Sequence, residues 1–169
     1  MAEKEQLERL TRSIEEWNLW REQYSILQPD LNGAFLYEAK LREVNLSRAN
    51  LNSINLSYAD LSGADLGSAN LRYADLRYAN LSNADLSRTD LSRSNLMEAN
   101  LSGAGLMYTN LRSVNLRSTN LSRADLSRAD LDEADLSHTR MWGTILGELN
   151  LSSVKGLEMV PCGTITLEH

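Results

Sequence analysis

The sequence predicts an all-β solenoid, and three observations predict it. Leucine stands at every fifth position from Leu31 to Leu151, 24 times in 25 slots, with Met141 the single lapse and no insertion anywhere. The residue two before each slot is small (Ala in 14 of the 25), and the residue just before it is Asn or Asp in 20. A period of five fits neither the roughly 3.6 of a helix nor the period of about 2 of a strand. Only the leucine and the small residue suit an interior, whereas Asn, Asp, Ser and Gly on both flanks accept turn geometry. A chain that buries residues at so short and strict an interval must also turn at that interval. Each five-residue unit therefore forms one side of a coil, and successive coils hydrogen-bond along the axis.

Residues 1–29 precede the repeat and change period. Leu7, Leu10, Ile14, Trp17, Trp20, Tyr24 and Leu27 recur at three- and four-residue steps. That spacing predicts one amphipathic helix over Lys4 to Leu27, ended by Pro29. An open solenoid end exposes strand edges and a leucine column, so the helix reads as a cap. Its alternative use is as a partner-binding helix with two exposed tryptophans.

Residues 30–153 form the solenoid. Units such as Ala59-Asp60-Leu61-Ser62-Gly63 and Ala69-Asn70-Leu71-Arg72-Tyr73 repeat in phase from Asp30 through Ser153. This pattern, A(N/D)LXX, resembles the pentapeptide-repeat proteins. The lead-in Trp17-Asn18-Leu19-Trp20-Arg21, followed by Pro29-Asp30-Leu31, is similar to that of cyanobacterial members and supports the cap. The resemblance implies a right-handed quadrilateral β-helix with 20 residues per coil, hence about six coils. At a coil spacing of about 4.8 Å the tower is on the order of 30 Å tall. Each buried leucine contributes about 1.5–3 kcal/mol, and Val44, Ile54 and Val114 fill gaps in the small slot.

With 20 residues per coil, slots 20 apart stack. Asp65 over Asp85 is then the only adjacent Asp–Asp pair in the four Asn/Asp ladders. Mixing Asn with Asp dilutes like charges at strand spacing, a structural use of the carboxylates. The same arithmetic stacks Tyr58 with Tyr78, with Arg77 and Arg117 in the neighbouring column, and places Arg72, Tyr73, Arg93 and Arg112 across the corner. Tyr and Arg bury large area and offer directed hydrogen bonds, which makes these eight residues the candidate partner-binding face. The structural reading of the same residues is a stiffening tyrosine pair with arginines bound to Asp75, Asp90 and Glu98.

Residues 154–169 follow as a tail. Arg140, Met141, Trp142, Ile145 and Leu149 depart from the motif, and Trp142 and Ile145 fall in outward slots. Val154 to Leu167 is apolar enough to fold back over them, which favours a monomer. A C-terminal dimer contact through Trp142 and Ile145 is the alternative. Leu167-Glu168-His169 resembles the start of an expression tag.

Composition narrows the function. No catalytic residue, cofactor site or metal site is expected: His138 stands in an outward slot without a second His or Cys at ligand spacing, and Gly103-Ala104-Gly105 is a relaxed repeat rather than a phosphate loop. A charged N-terminus without an apolar run and the polar repeat predict neither a signal peptide nor a membrane span. The lone Cys162 fits a reducing compartment, so the cytoplasm is expected. The net charge of −6 argues against nucleic acid as a partner. The resemblance implies a non-catalytic interaction, scaffold or regulatory module with a protein partner. It also implies an alternative, because some members mimic duplex DNA and bind gyrase. The repeat here carries 12 basic residues against 15 acidic ones, which gives a weak and mixed potential. Thr89, Thr109, Thr119 and Thr139 sit in the inward slot, which excludes an ice-binding threonine face.

Overall fold

The computed structural model describes residues 3–159 and 165–166. Its body is a four-sided parallel solenoid. Backbone pairs join residues 20 apart on every side, beginning with Asp30 to Asn50, Phe35 to Asn55, Lys40 to Asp60 and Asn45 to Asp65. Numbered by these first residues, sides one to four each contribute one rung per coil. The leucine and the small residue line the interior, which is closed by contiguous side chains from Leu31 to Leu146.

The five-residue period has a specific geometric origin. From Ala34 to Thr144 the N–H of the small residue donates to the carbonyl of the inward residue three before it, as Ala64 does to Leu61 at 3.0 Å. Within each turn only the second central residue has positive φ, from Gly33 to Glu148 without a gap, 20 of these residues not being glycine. That is the type II turn, repeated at every corner. The Asn or Asp ahead of each leucine secures the turn from outside. All 20 accept a backbone N–H from the residue two further on, at 2.8–3.4 Å. Asparagine amides add a second bond along the axis, Asn80 to Asp60 at 3.1 Å and Asn100 to Asn80 at 3.1 Å. Asp85 beneath Asp65 has no such donor. The inward threonines are satisfied too: Thr89, Thr109, Thr119 and Thr144 donate to leucine carbonyls of the preceding coil at 2.7–2.9 Å.

The N-terminal segment differs from the single helix expected over Lys4 to Leu27. It forms two helices, α1 (Lys4–Arg12) and α2 (Ile14–Gln23), broken by an extended Ser13. The Ser13 hydroxyl accepts the Glu16 N–H at 3.2 Å and so starts the second helix. Trp17 is fully buried and Trp20 half-buried, so the face with two exposed tryptophans does not exist. Side chains of α2 instead complete the top of side four. The Asn18 carboxamide accepts from the Asn45 N–H and donates to the Glu43 carbonyl, both at 2.9 Å. The Trp17 indole donates to the Asn45 carbonyl at 2.7 Å, and buried Arg21 donates to Ser47 and Leu27. On side one, Glu3 and Gln6 bind the backbone of Asp30 in the same way.

At the other end the ladder continues past Ser153. Lys155 pairs with Asp135. Strand β1 (Thr144–Ile145) pairs in parallel with β2 (Ile165–Thr166). Within the stretch expected to fold back over Ile145, Lys155 and Ile165–Thr166 therefore form further rungs, because exposed ladder groups are best satisfied by another parallel segment. Cys162 and Leu167 to His169 lie outside the described residues.

Candidate interaction face

The turn after side two carries the central pair. Tyr58 and Tyr78 stack with ring centroids 4.6 Å apart and an interplanar angle of 17°. Both occupy the left-handed position of their turns, φ 61°, which points their rings away from the tower. Tyr37 packs edge-on to Tyr58 at 5.6 Å, and Phe35 stacks on Tyr37 at 6.1 Å. The result is a four-ring ladder that stays accessible, Phe35 being 72% and Tyr58 51% exposed. Below it, the Tyr78 hydroxyl donates to the Glu98 carboxylate at 3.3 Å. That negative charge holds the Tyr78 phenol above its ordinary pKa.

The arginines are more restrained. Arg77 turns back on Asp75 with two bonds, 2.8 and 2.7 Å. Arg117 binds Asp135 at 3.3 Å, and Arg112 binds Asp130 at 3.2 Å and Asp132. Across side two, on the turn after side one, the Arg93 guanidinium donates to the Tyr73 hydroxyl at 2.9 Å. Arg72 and Arg93 both lie over the Tyr73 ring, 5.6 and 5.8 Å from its centre. The Arg93 hydrogen bond, and then that of Arg72, hold the Tyr73 phenol below its ordinary pKa. Arg72 also approaches Asp90 at 4.0 Å. The eight candidates thus fall into a ring ladder with Arg77, a Tyr73 cluster on the other edge of side two, and two arginines lower down engaged by carboxylates.

Two ladder members were not foreseen. Phe35 occupies an Asn/Asp slot, and Tyr37 stands in the column of Arg77, two coils above it; both signals are readable once the 20-residue stacking is applied. The same stacking reveals a second cluster on the turn after side four. Arg128 binds Glu148 at 2.7 and 2.8 Å and the Tyr108 hydroxyl at 2.7 Å, while Arg88 covers the Tyr108 ring. At the far end Trp142 is 56% exposed and rests on the Arg123 guanidinium at 4.9 Å. Ile145 is half-buried within β1. Among the described residues no group of three or more His, Cys, Asp and Glu is placed to hold a metal ion, and no helix is long and apolar enough to cross a membrane.

A polar, four-sided tower of A(N/D)LXX units defines a class. The chain belongs to the pentapeptide-repeat family, whose repeats match in eight copies over residues 28–57, 49–88, 74–107 and 109–147. Its architecture is that family's right-handed quadrilateral β-helix. Among solved structures it is similar to HetL, a pentapeptide repeat protein involved in heterocyst differentiation regulation from the cyanobacterium Nostoc sp. strain PCC 7120. The two superpose with a TM-score of 0.78 at 35% identity, over 83% of this chain and 65% of HetL. The chain therefore spans just under two thirds of HetL's length. Full-length QnrB1, a plasmid-mediated fluoroquinolone resistance protein, superposes with a TM-score of 0.59 at 20% identity over 85% of this chain and 79% of its own, a likeness of fold alone. No curated protein matches the chain.

Proposed function

We propose that this chain is a non-catalytic module that regulates a protein partner by contact, with side two and its bordering turns as the working face. The observation that carries the reading is the exposed ladder Phe35–Tyr37–Tyr58–Tyr78 on rigid, hydrogen-bonded turns. Stacked aromatics with few free torsions lose little entropy on binding and offer the area typical of hot spots. Tyr73 between Arg72 and Arg93 extends the same face. The likeness to HetL supports a regulatory role, and the unbroken five-residue register from Leu31 to Leu151, which leaves no loop there to enclose a substrate, supports action without catalysis. In this reading the tower is about six coils, monomeric and cytoplasmic, with 30–153 as its working domain, 1–29 as a cap and 154–169 as the closing segment.

The DNA-mimic alternative is the weaker reading. Arginines stand on all four turn columns, for example Arg72, Arg77, Arg123 and Arg128, and so place positive charge beside the acidic ladders on every edge.

The test is affinity capture from native lysate with wild type beside a Tyr58→Ala/Arg77→Ala/Tyr78→Ala variant of unchanged thermal stability. A partner held by wild type and lost by the variant supports the face. A partner held equally by both moves the site elsewhere. Inhibition of gyrase supercoiling by the wild type would restore the mimic.

A further inference from the structure

The two helices engage all three ladder groups at the top of side four and the Asp30 N–H and C=O of side one, where the Asn32 C=O stays open, but they engage none on sides two and three. The Phe35 N–H and C=O, the Tyr37 C=O, the Lys40 N–H and C=O and the Arg42 C=O have no hydrogen-bond partner among the described residues. One coil lower, the equivalent groups are all engaged. The Asn55 N–H donates to Ala34 at 3.0 Å, the Asn55 carbonyl accepts from Leu36 at 2.8 Å, and the Ser57 carbonyl accepts from Glu38 at 3.0 Å. Phe35 and Lys40 are also where the motif departs from Asn/Asp in the first coil, whereas Asp30 and Asn45 on the capped sides keep it.

Beside this open edge lies a groove of about 360 Å³ between the helix junction and the first coil, walled by Leu10, Ile14 and Leu36. Its floor is Ala39, the one alanine of the repeat's small slots that is only half-buried. The charged residues on its rim are Arg12 and Lys40, both exposed and neither in an ion pair among the described residues. Unpaired backbone in ladder register, an apolar recess and an uncompensated pair of cations converge on one chemistry.

We propose that the open top of sides two and three binds an extended, acidic peptide segment of a partner protein, which adds one rung to the ladder. The segment presents a C=O and then two N–H groups at alternate residues, the pattern that Ala34, Leu36 and Glu38 present to the coil below. An apolar side chain enters the recess, and carboxylates meet Arg12 and Lys40. A lysine on an open edge also discourages pairing with uncharged strands, which narrows the choice to acidic segments. This edge adjoins the ring ladder at Phe35 and Tyr37 but uses their backbone groups rather than their rings, so it stands or falls without the ring-face reading.

The probe is a synthetic peptide copying residues 129–137, Ala-Asp-Leu-Asp-Glu-Ala-Asp-Leu-Ser, which has the repeat's backbone spacing, leucines and four carboxylates. Added to the isotope-labelled full chain, it is expected to slow exchange of the Phe35 and Lys40 amide protons. The same peptide N-methylated at both leucines should bind about tenfold more weakly or not at all, since it lacks the donors. Arg12→Glu/Lys40→Glu should weaken the unmodified peptide by a similar factor, while Tyr58→Ala/Tyr78→Ala should bind it as wild type does. No protection of either amide at millimolar peptide, or equal binding of the N-methylated form, would overturn the proposal.

Discussion

Tyr78 lies 4.6 Å beneath Tyr58, ring over ring, and both residues hold the left-handed backbone of a type II turn. Two L-residues accept that conformation here because the turn and its rung are fixed from both sides. The Tyr58 N–H donates to the Arg77 carbonyl at 2.9 Å and the Tyr78 N–H to that of Met97 at 3.1 Å. A double-mutant cycle of Tyr58→Ala and Tyr78→Ala should give a coupling of about 0.5–1.5 kcal/mol, measured by urea denaturation. Additive losses would show that the rings neighbour each other without interacting, and the stack would then be free to open for a partner.

Two glycines of positive φ, Gly33 in a turn and Gly156 in a leucine slot, separate backbone strain from steric space. Gly33 has φ +67° and nothing within 4 Å of where a Cβ would stand, so Gly33→Ala should cost only the left-handed penalty, about 1 kcal/mol. At Gly156, φ +78°, a Cβ would lie 2.6 Å from the backbone N and Cα of Ser137. Gly156→Ala must therefore displace a rung, and its loss in a thermal melt should clearly exceed that of Gly33→Ala. Equal losses would mean that the last coil yields freely.

The five-residue period made the tower readable because every slot has a single physical role. Leucine fills the interior, alanine clears space beside it, and Asn or Asp secures the turn. Stacking at 20 residues likewise brings Tyr58 over Tyr78 without any structure. The helix break was also written in the chain, as Ser13-Ile14-Glu15-Glu16, an N-cap serine with a glutamate three residues on. The hydrophobic spacing runs through it unbroken, and periodicity alone therefore reads one helix. What the sequence hides is the use of side chains in place of backbone. Asn18, Trp17 and Arg21 carry no motif that marks them as substitutes for a missing coil, because their role depends on where α2 lands. Asp75 is legible as an arginine partner, whereas nothing in the chain marks Asp130 and Asp132 as the pair that holds Arg112.

The helical cap makes a sharp prediction at Asn18. Its carboxamide supplies one acceptor to Asn45 and one donor to Glu43, as a peptide group of another coil would. Asn18→Ala leaves both edge groups without a protein partner and should cost about 1–2 kcal/mol. The loss should be local first: hydrogen exchange at the Asn45 amide should accelerate while the amides of Leu81 and Leu101, deep in the column, keep their protection. Uniform acceleration would mean that the cap and tower unfold as one unit.

Buried leucines set the scale for that column. Leu81 is fully buried between coils, and the rigid backbone ladder above and below prevents collapse around a hole. Leu81→Ala should cost about 2–5 kcal/mol in urea denaturation. An unchanged midpoint would contradict the buried column itself.

Acid should weaken the tower through Asp75. The two hydrogen bonds from Arg77 hold its carboxyl below the usual range, assisted by the Arg77 backbone N–H and charge and opposed by partial burial. Its folded pKa thus lies below the unfolded value of about 3.9. The stabilisation is complete above that unfolded value and is lost as pH falls through the depressed folded one. Asp60 and Asp135 shift in the same direction: burial alone would raise them, but bonds from Ser62 and Ser137 outweigh it. Unfolding free energy should therefore hold level from about pH 7 to about pH 5 on this account and decline below about pH 4. Asp75→Asn should lower stability at neutral pH, where the ion pair is lost, and should reduce the decline on the acid side. Because Arg77 and Asp75 are both partly solvated, the difference should shrink in high salt. If the variant kept the full acid slope at low and high salt alike, the acid response would belong to other carboxylates and not to this pair.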